Sequence, residues 1–438
     1  MIPGAGQGLN WTGAAVAAAR IRAGTLTSRG LVSACLERIA ERDGTVRAWA
    51  HLDPDLALAQ ADAADAVPQA DRGPLHGVPV GVKDIILTRD MPTQMNSPHF
   101  AGHFPPVDAA CVALLRDAGA VILGKCDTVE FAVNGRRAAT TNPHDRTRTP
   151  GGSSSGSAAA VADGQVPLTL GTQTGGSVIR PASYCGVWAI KPTWNAVSTE
   201  GVKPCAATLD TLGWYGRTAA DLDLLARVYG LNDDPGPMRE SVEGMAIALC
   251  PGPVWDSAGP ATRAAMDTAV ARLRAAGASV VTLDLPEAFA RLTAAHRIIM
   301  QAEMRVAFLP DWREIGEALY PELVGILRND AGHSRADLLA ALDLAAACRA
   351  RFDALAAPFD AVLTPSTAGT APVGPDDTGA ATFNRIWTLL HVPCVNLPGL
   401  TAADGLPVGV TLTGPRFSDR RLIRTAALAG AAIADAAP

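Results

Sequence analysis

Residues 12–66 repeat apolar positions at helical spacing in an alanine-rich background. Leu31, Val32, Cys35 and Ile39 fall on one face, and Glu37, Arg38, Glu41 and Arg42 on the other. This predicts helices, with Ser28 capping the second of them. At 76–86 the pattern switches to HGVPVGVKDII, a short β-branched run bounded by glycine and proline, which predicts a strand. Residues 107–118 predict a helix closed by Gly119, and 120–124 the next strand. The alternation returns at 244–250, 261–276 and 279–284, again at 335–356 and 361–365, and finally at 406–413 and 420–436. Helices alternating with short buried strands imply parallel β-structure covered by helices. The expected fold is therefore α/β, a single large domain (71–438) with a central mixed β-sheet covered by helices. Residues 1–70 are expected to form an N-terminal helical segment packed on that core. No charged or low-complexity linker divides the chain, and no internal repeat is found. Residues 125–215 stand apart, dense in Gly, Ser, Thr and Pro with little helical periodicity. A long irregular stretch inside a compact domain is usually functional.

Composition narrows the partners. The 438 residues carry 37 Lys plus Arg against 43 Asp plus Glu, a net charge of -6. That argues against a protein that coats nucleic acid or an anionic membrane. Every apolar stretch is interrupted before the roughly 18 residues of a membrane span. The eight cysteines are too far apart for a zinc ribbon or a redox CxxC pair. The opening residues, MIPGAGQGLNWTG, show neither a basic start nor an apolar run, so a reducing cytoplasm is expected and the cysteines read as small buried hydrophobes. A homodimer is compatible with all of this.

The most unusual segment is TPGGSSSGS at 149–157, followed by AAAVADG. A flexible linker does not run straight into an apolar helix start and a strand at 166–170. A phosphate loop needs Lys after its glycine, and none follows. Gly152-Ser153-Ser154-Ser155-Gly156 satisfies the G-x-S-x-G pattern of a nucleophile elbow with Ser154 at its centre, but an elbow must follow a buried strand and here NPHDRTRTP precedes it. The fourth reading pairs this loop with Gly171-Thr172-Gln173-Thr174-Gly175-Gly176-Ser177, which does follow an apolar strand. Its glycines allow several backbone N–H groups to point one way beside a serine, the geometry of an oxyanion hole.

A serine needs a base. His99 and His103 lack the Glu and the helical setting of a zinc motif, and the other histidines are scattered, although a histidine triad meets only in the fold and spacing alone leaves it open. Lys83 interrupts a strand expected to be buried, and burial of an amine lowers its pKa toward the range where it accepts a proton. The alternative is that Lys83 pairs with Asp84 at a strand end.

PGGSSSGSAAAVA and TQTGGSVIRPASYCG, with the earlier GVKD, resemble the amidase signature family. GKCDTVEFA, NPHD, LDTLG, VNLPG and GLPVGVTL extend the likeness to roughly residues 75–415, and TQTGGSVIRPA is most similar to the malonamidase-like branch. Many members carry Asp where this chain has Gln173, and Arg two residues after the nucleophile, where this chain has Ile179 and then Arg180. The resemblance implies the amidase signature fold and a Ser-cisSer-Lys triad. Ser177 matches the nucleophile, Lys83 the base, and Ser153 the bridging serine next to a cis peptide bond on one side of it. Thr174, Gly175, Gly176 and Ser177 match the oxyanion-hole backbone. It implies hydrolysis of the C–N bond of a small amide through an acyl-enzyme, with no metal or organic cofactor in the scheme. Arg180 matches a group that grips a substrate carboxylate, the alternative being a structural salt bridge to one of the chain's own acids. Rival functions are a carbamate or urea hydrolase, an amidotransferase subunit supplying ammonia for aminoacyl-tRNA, and a non-catalytic binder of small carboxylates. Residues 287–345 hold no readable motif and are expected in the pocket wall.

Overall fold

Eleven strands join into one sheet in the computed structural model, which describes all residues except 1, 3, 7, 134, 232–238, 375 and 435–438. In chain order they are β1 (Trp49–Leu52), β2 (Pro79–Lys83), β3 (Val121–Cys126), β4 (Leu168–Gln173), β5 (Trp188–Lys191), β6 (Thr211–Gly216), β7 (Ala246–Leu249), β8 (Ser279–Thr282), β9 (Ala361–Pro365), β10 (Cys394–Thr401) and β11 (Pro407–Thr413). Across the sheet they run β1-β3-β2-β4-β6-β5-β10-β11-β9-β7-β8. Two parallel patches, β3-β2-β4 and β9-β7-β8, flank an antiparallel middle. The sheet is mixed, as the alternation of helices and strands requires. β2 is buried at every position, and its Gly81 is needed: a Cβ there would meet Cys126 Sγ at 2.8 Å and Thr169 Cγ2 at 3.0 Å.

The N-terminal segment is helical at Ala14–Arg22, Ser28–Val46 and Pro54–Asp65, but β1 lies between the last two and forms the sheet's edge. Leu31, Val32, Cys35 and Ile39 are buried in the same core as Val80 and Leu170. Arg38, expected on the polar face, is buried too, because its guanidinium holds the Asp163 carbonyl at 2.8 Å and carboxylate at 3.3 Å. A buried carboxylate needs such a partner. The cap is Thr27, whose side chain accepts from the Gly30 amide; the Ser28 hydroxyl instead donates to the Gly77 carbonyl at 2.8 Å.

The other predicted helices form at Ala110–Asp117, Pro260–Ala275, Arg335–Ala356 and Asp419–Ile433, with 435–436 outside the described residues. The stretch 125–215 is more ordered than its composition implies. It contains β4, β5, β6 and the helices Ser155–Ala162 and Ile179–Cys185. The first of these helices is buried on every side, so it has no polar face for a periodicity to reveal. A second, smaller core gathers Phe289, Leu292, Ile299, Phe352 and Trp387 between the helices Leu292–Ala307, Arg335–Ala356 and Arg385–Leu389. Among the described residues, no helix is long and apolar enough to cross a membrane.

Candidate active site

Parallel strands β2 and β4 are neighbours, so both deliver their last residues to the same edge of the sheet. β2 ends on Lys83, which is fully buried. Its Nζ donates to Ser153 Oγ at 2.8 Å and to Thr172 Oγ1 at 2.8 Å. Asp84 is not its partner. That carboxylate pairs with Lys125 at 3.2 Å and accepts the Met95 amide at 3.1 Å. Burial brings the Lys83 amine down to about 7, with the Asp210 charge opposing the shift and that of Arg180 adding to it.

Ser153 follows a cis peptide bond, Gly152–Ser153. Its carbonyl accepts from Thr128 Oγ1 and from the Ser155 amide, both at 2.9 Å. Ser154 turns elsewhere: its hydroxyl lies under β4, 3.3 Å from the Thr172 carbonyl and 3.2 Å from the Thr172 amide. No strand runs directly into this loop, and the Ser154 hydroxyl faces β4 rather than the cavity, so Ser154 is not a nucleophile elbow.

Ser177 sits half-buried on the loop after β4. Each carbonyl of that loop is held from outside. His296 Nε2 donates to Thr174 O at 2.8 Å, Thr388 Oγ1 to Gly175 O at 2.9 Å, and the Arg180 amide to Gly176 O at 3.0 Å. In a trans peptide the N–H points away from the carbonyl. The amides of Gly175, Gly176 and Ser177 are thereby turned away from these donors, and none of them has an acceptor among the described residues. Three adjacent free N–H groups are a ready anion cradle. Gly176 cannot be replaced without movement, since a Cβ there would lie 2.5 Å from Asn384 Oδ1. Gln173 braces the loop as a neutral residue: its Oε1 accepts the amides of Val178 at 2.9 Å and Ile179 at 3.1 Å, and its Nε2 donates to Thr388 Oγ1 at 3.0 Å.

Asp210, in the LDTLG segment, was not read as a site residue. It accepts from Thr174 Oγ1 at 2.5 Å and from the amides of Cys205 and Ala206 at 2.7 and 2.9 Å, and burial raises its carboxyl to about 6. Thr172 was also missed. Its only sequence signal is a hydroxyl near the end of a buried strand beside Lys83's. Among the described residues no histidine hydrogen-bonds a serine hydroxyl. His296, which reaches the loop from the helix Leu292–Ala307, is spent on the Thr174 carbonyl and lowered to about 4 by burial.

Ser153, Ser177 and the loop between Thr174 and Ser177 line a cavity of about 520 Å³. Its opposite wall includes Thr293, Arg297, Met300, Met304, Leu323 and Ile326, from the stretch where no motif was readable. Arg180 reaches the cavity too, but most of its donors are taken: Nε and Nη2 hold the Gly152 carbonyl at 3.1 and 2.5 Å, and Nη1 holds that of Gly379. No acid of the described chain forms a salt bridge with it; backbone carbonyls stand where that alternative placed a carboxylate. Burial lowers its guanidinium to about 10.

A family model described as Amidase matches residues 30–423. A subunit of glutamyl-tRNA(Gln) amidotransferase from Chloroflexus aggregans is 35% identical over 457 residues, covering 92% of this chain and 93% of that protein. Among solved structures, the peptide amidase of Stenotrophomonas maltophilia matches with a TM-score of 0.82 at 31% identity, covering 98% of this chain and 97% of that one. A structure described as a vestigial protein complex bearing on the origins of an s-triazine catabolic enzyme matches with a TM-score of 0.84 at 29% identity, covering 95% and 98%.

Proposed function

We propose, from the premise that the chain belongs to the Amidase family and is an amidase acting on carbon–nitrogen bonds, that it hydrolyses a small amide through an acyl-enzyme on Ser177. One observation carries this reading. A fully buried amine at Lys83 touches two hydroxyls and no carboxylate, and one of those hydroxyls belongs to Ser153 at the wall of the cavity that Ser177 also lines. An amine brought down to about 7 is about half neutral at pH 7, and that neutral fraction accepts a proton.

Lys83 takes the Ser153 proton as Ser153 takes that of Ser177, and Ser177 Oγ bonds to the amide carbon. The oxyanion is received by the free amides of Gly175, Gly176 and Ser177. Thr174 supports them through its carbonyl and its bond to Asp210. When the C–N bond breaks, the proton returns through Ser153 to the departing nitrogen. Water then repeats the cycle on the ester and releases the acid. Arg180 positions the Ser153 loop through the Gly152 carbonyl, and with its donors turned to Gly152 and Gly379 it adds only a long-range positive charge to the cavity.

A second reading is favoured by the likeness to the glutamyl-tRNA(Gln) amidotransferase protein: glutamine as the amide, with a protein partner receiving the ammonia. Incubation with glutamine alone separates the two. Malonamate, acetamide, an aryl amide and an aryl carbamate complete the panel and distinguish the carbamate hydrolase.

A fluorophosphonate probe followed by peptide mapping tests the scheme. The adduct is expected on Ser177, absent in Ser177→Ala, severely slowed in Ser153→Ala and least affected in Ser154→Ala. An adduct on Ser154 would overturn the assignment, and no adduct on folded protein would favour the non-catalytic binder.

A further inference from the structure

The cavity holds more positive charge than this chemistry uses. Four arginines line it, Arg137, Arg180, Arg297 and Arg385, against two acids, Glu322 and Asp377. Asp377 is exposed and accepts the Gly379 amide at 2.8 Å, and Glu322 is exposed at the start of the helix Pro321–Arg328. Arg297, on the helix Leu292–Ala307, and Arg385, opening the helix Arg385–Leu389, stand on two helices that pack together. Neither guanidinium has an ion pair or a side-chain hydrogen bond among the described residues. Their charges repel: Arg385 is lowered by burial and by Arg297, and it in turn disfavours the charge on Arg180. One turn before Arg297, the buried hydroxyl of Thr293 lines the same cavity and also lacks a partner. Arg297 is exposed and Arg385 half-buried, so water answers part of their charge; the half-buried Arg385 guanidinium and the buried, unbonded Thr293 hydroxyl carry the cost that an anion in this space would relieve.

We infer that Arg297, Arg385 and Thr293 form a subsite for a carboxylate on the substrate, distinct from the amide that Ser177 attacks. This rests on the hydrolase reading and narrows its substrate class to small amic acids, molecules with an amide at one end and a carboxylate at the other. Arg385 and Arg297 have free forks for that carboxylate, whereas Arg180 has spent most of its own on Gly152 and Gly379. Met300, Met304, Leu323 and Ile326 suit a short apolar spacer between the two ends.

The test compares kcat/KM for malonamate, succinamate and glutaramate with that for neutral amides of equal length. In Arg385→Gln the ratio of acid to neutral substrate falls by about 30-fold or more, mainly through KM, the effect of truncating one partner of a buried charge pair, and in Arg297→Gln, where the guanidinium is exposed, it falls by less. Arg385→Lys recovers part of it, because the charge stays and the fork is lost. Glutarate, used as a probe, raises the melting temperature of the wild type and does so less in either variant. Added salt raises KM for the amic acid more than for the neutral amide. An unchanged ratio in both variants, or equal losses on both substrates with a lowered melting temperature, would overturn the subsite. Fluorophosphonate labelling reports separately on the chemistry. A labelled enzyme indifferent to the carboxylate sinks the subsite alone, and an unlabelled one whose glutarate effect is still lost in Arg385→Gln sinks the hydrolase and keeps the subsite.

Discussion

Lys83 and Lys125 make a controlled comparison. They sit on adjacent parallel strands, with Val82 opposite Lys125 and Lys83 opposite Cys126, and both are fully buried. Burial disfavours the ammonium form at each. Lys125 meets the Asp84 carboxylate at 3.2 Å, with Thr93 Oγ1 at 2.6 Å and the Pro92 carbonyl at 3.2 Å completing its shell, so its charge is answered. Lys83 meets only hydroxyls. A third buried lysine, Lys191, donates to the carbonyls of Pro192 at 2.7 Å and Val392 at 2.6 Å and serves as a brace. Burial alone therefore does not make a base. The absence of a carboxylate and the bond to Ser153 on the cavity wall set Lys83 apart as the proposed base.

The largest effect that would break this contrast is in turnover. Lys83→Met lowers kcat/KM by about 10²- to 10⁴-fold, the usual contribution of a general base, while the protein still folds. Near-normal turnover at pH 7 would remove Lys83 from the chemistry. Lys125→Met strands the Asp84 carboxylate and lowers unfolding free energy by about 3–5 kcal/mol in a denaturant titration, with the folded fraction still turning over. A loss of activity at unchanged stability would erase the difference between the two lysines.

The pH profile sharpens it further. Only the neutral amine accepts a proton, so kcat/KM rises through an acid limb centred near 7. The same depression makes stability rise with pH from about 7 towards the unfolded value of 10.5, because over that window the unfolded chain keeps a proton that the folded one has lost. Lys125 and Lys191, also lowered by burial, contribute to the same rise, so Lys83→Met makes it shallower from about 7 upward rather than removing it, and an unchanged slope would show that Lys83 is not depressed. The smallest change is Asp210→Asn. Asp210 is the charge that most favours protonated Lys83, so its removal moves the acid limb to lower pH. A limb that stays in place, or moves up, would show that Asp210 acts only through Thr174.

Much of this was legible along the chain, and the failures have physical causes. Lys83 stood out because a lysine inside a β-branched run has to be explained, and Gly175-Gly176-Ser177 because such a run needs unusual backbone freedom. Ser153 and Ser177 were matched through resemblance, since no periodicity separates Ser153 from Ser154; the structure separates them by where each hydroxyl points. Arg38 misled because its partner Asp163 is remote in sequence. β1 was hidden because its four residues alternate only weakly between half-buried and exposed positions. Arg180's carbonyl partners were unreadable, since backbone acceptors leave no mark on composition. Thr293, Arg297 and Arg385 carry no motif at all, and only the packing of two helices brings them to the cavity.

The two groups of residues given roles at the cavity come from separate stretches of chain. Lys83, Ser153 and Ser177 come from residues 83–177 around the β3-β2-β4 patch, while Thr293, Arg297 and Arg385 come from residues 293–385 around the second core. If the proposed roles hold, a substitution at Thr293, Arg297 or Arg385 changes which substrates enter while Lys83, Ser153 and Ser177 keep their places, since none of the latter three makes a hydrogen bond to the later stretch among the described residues.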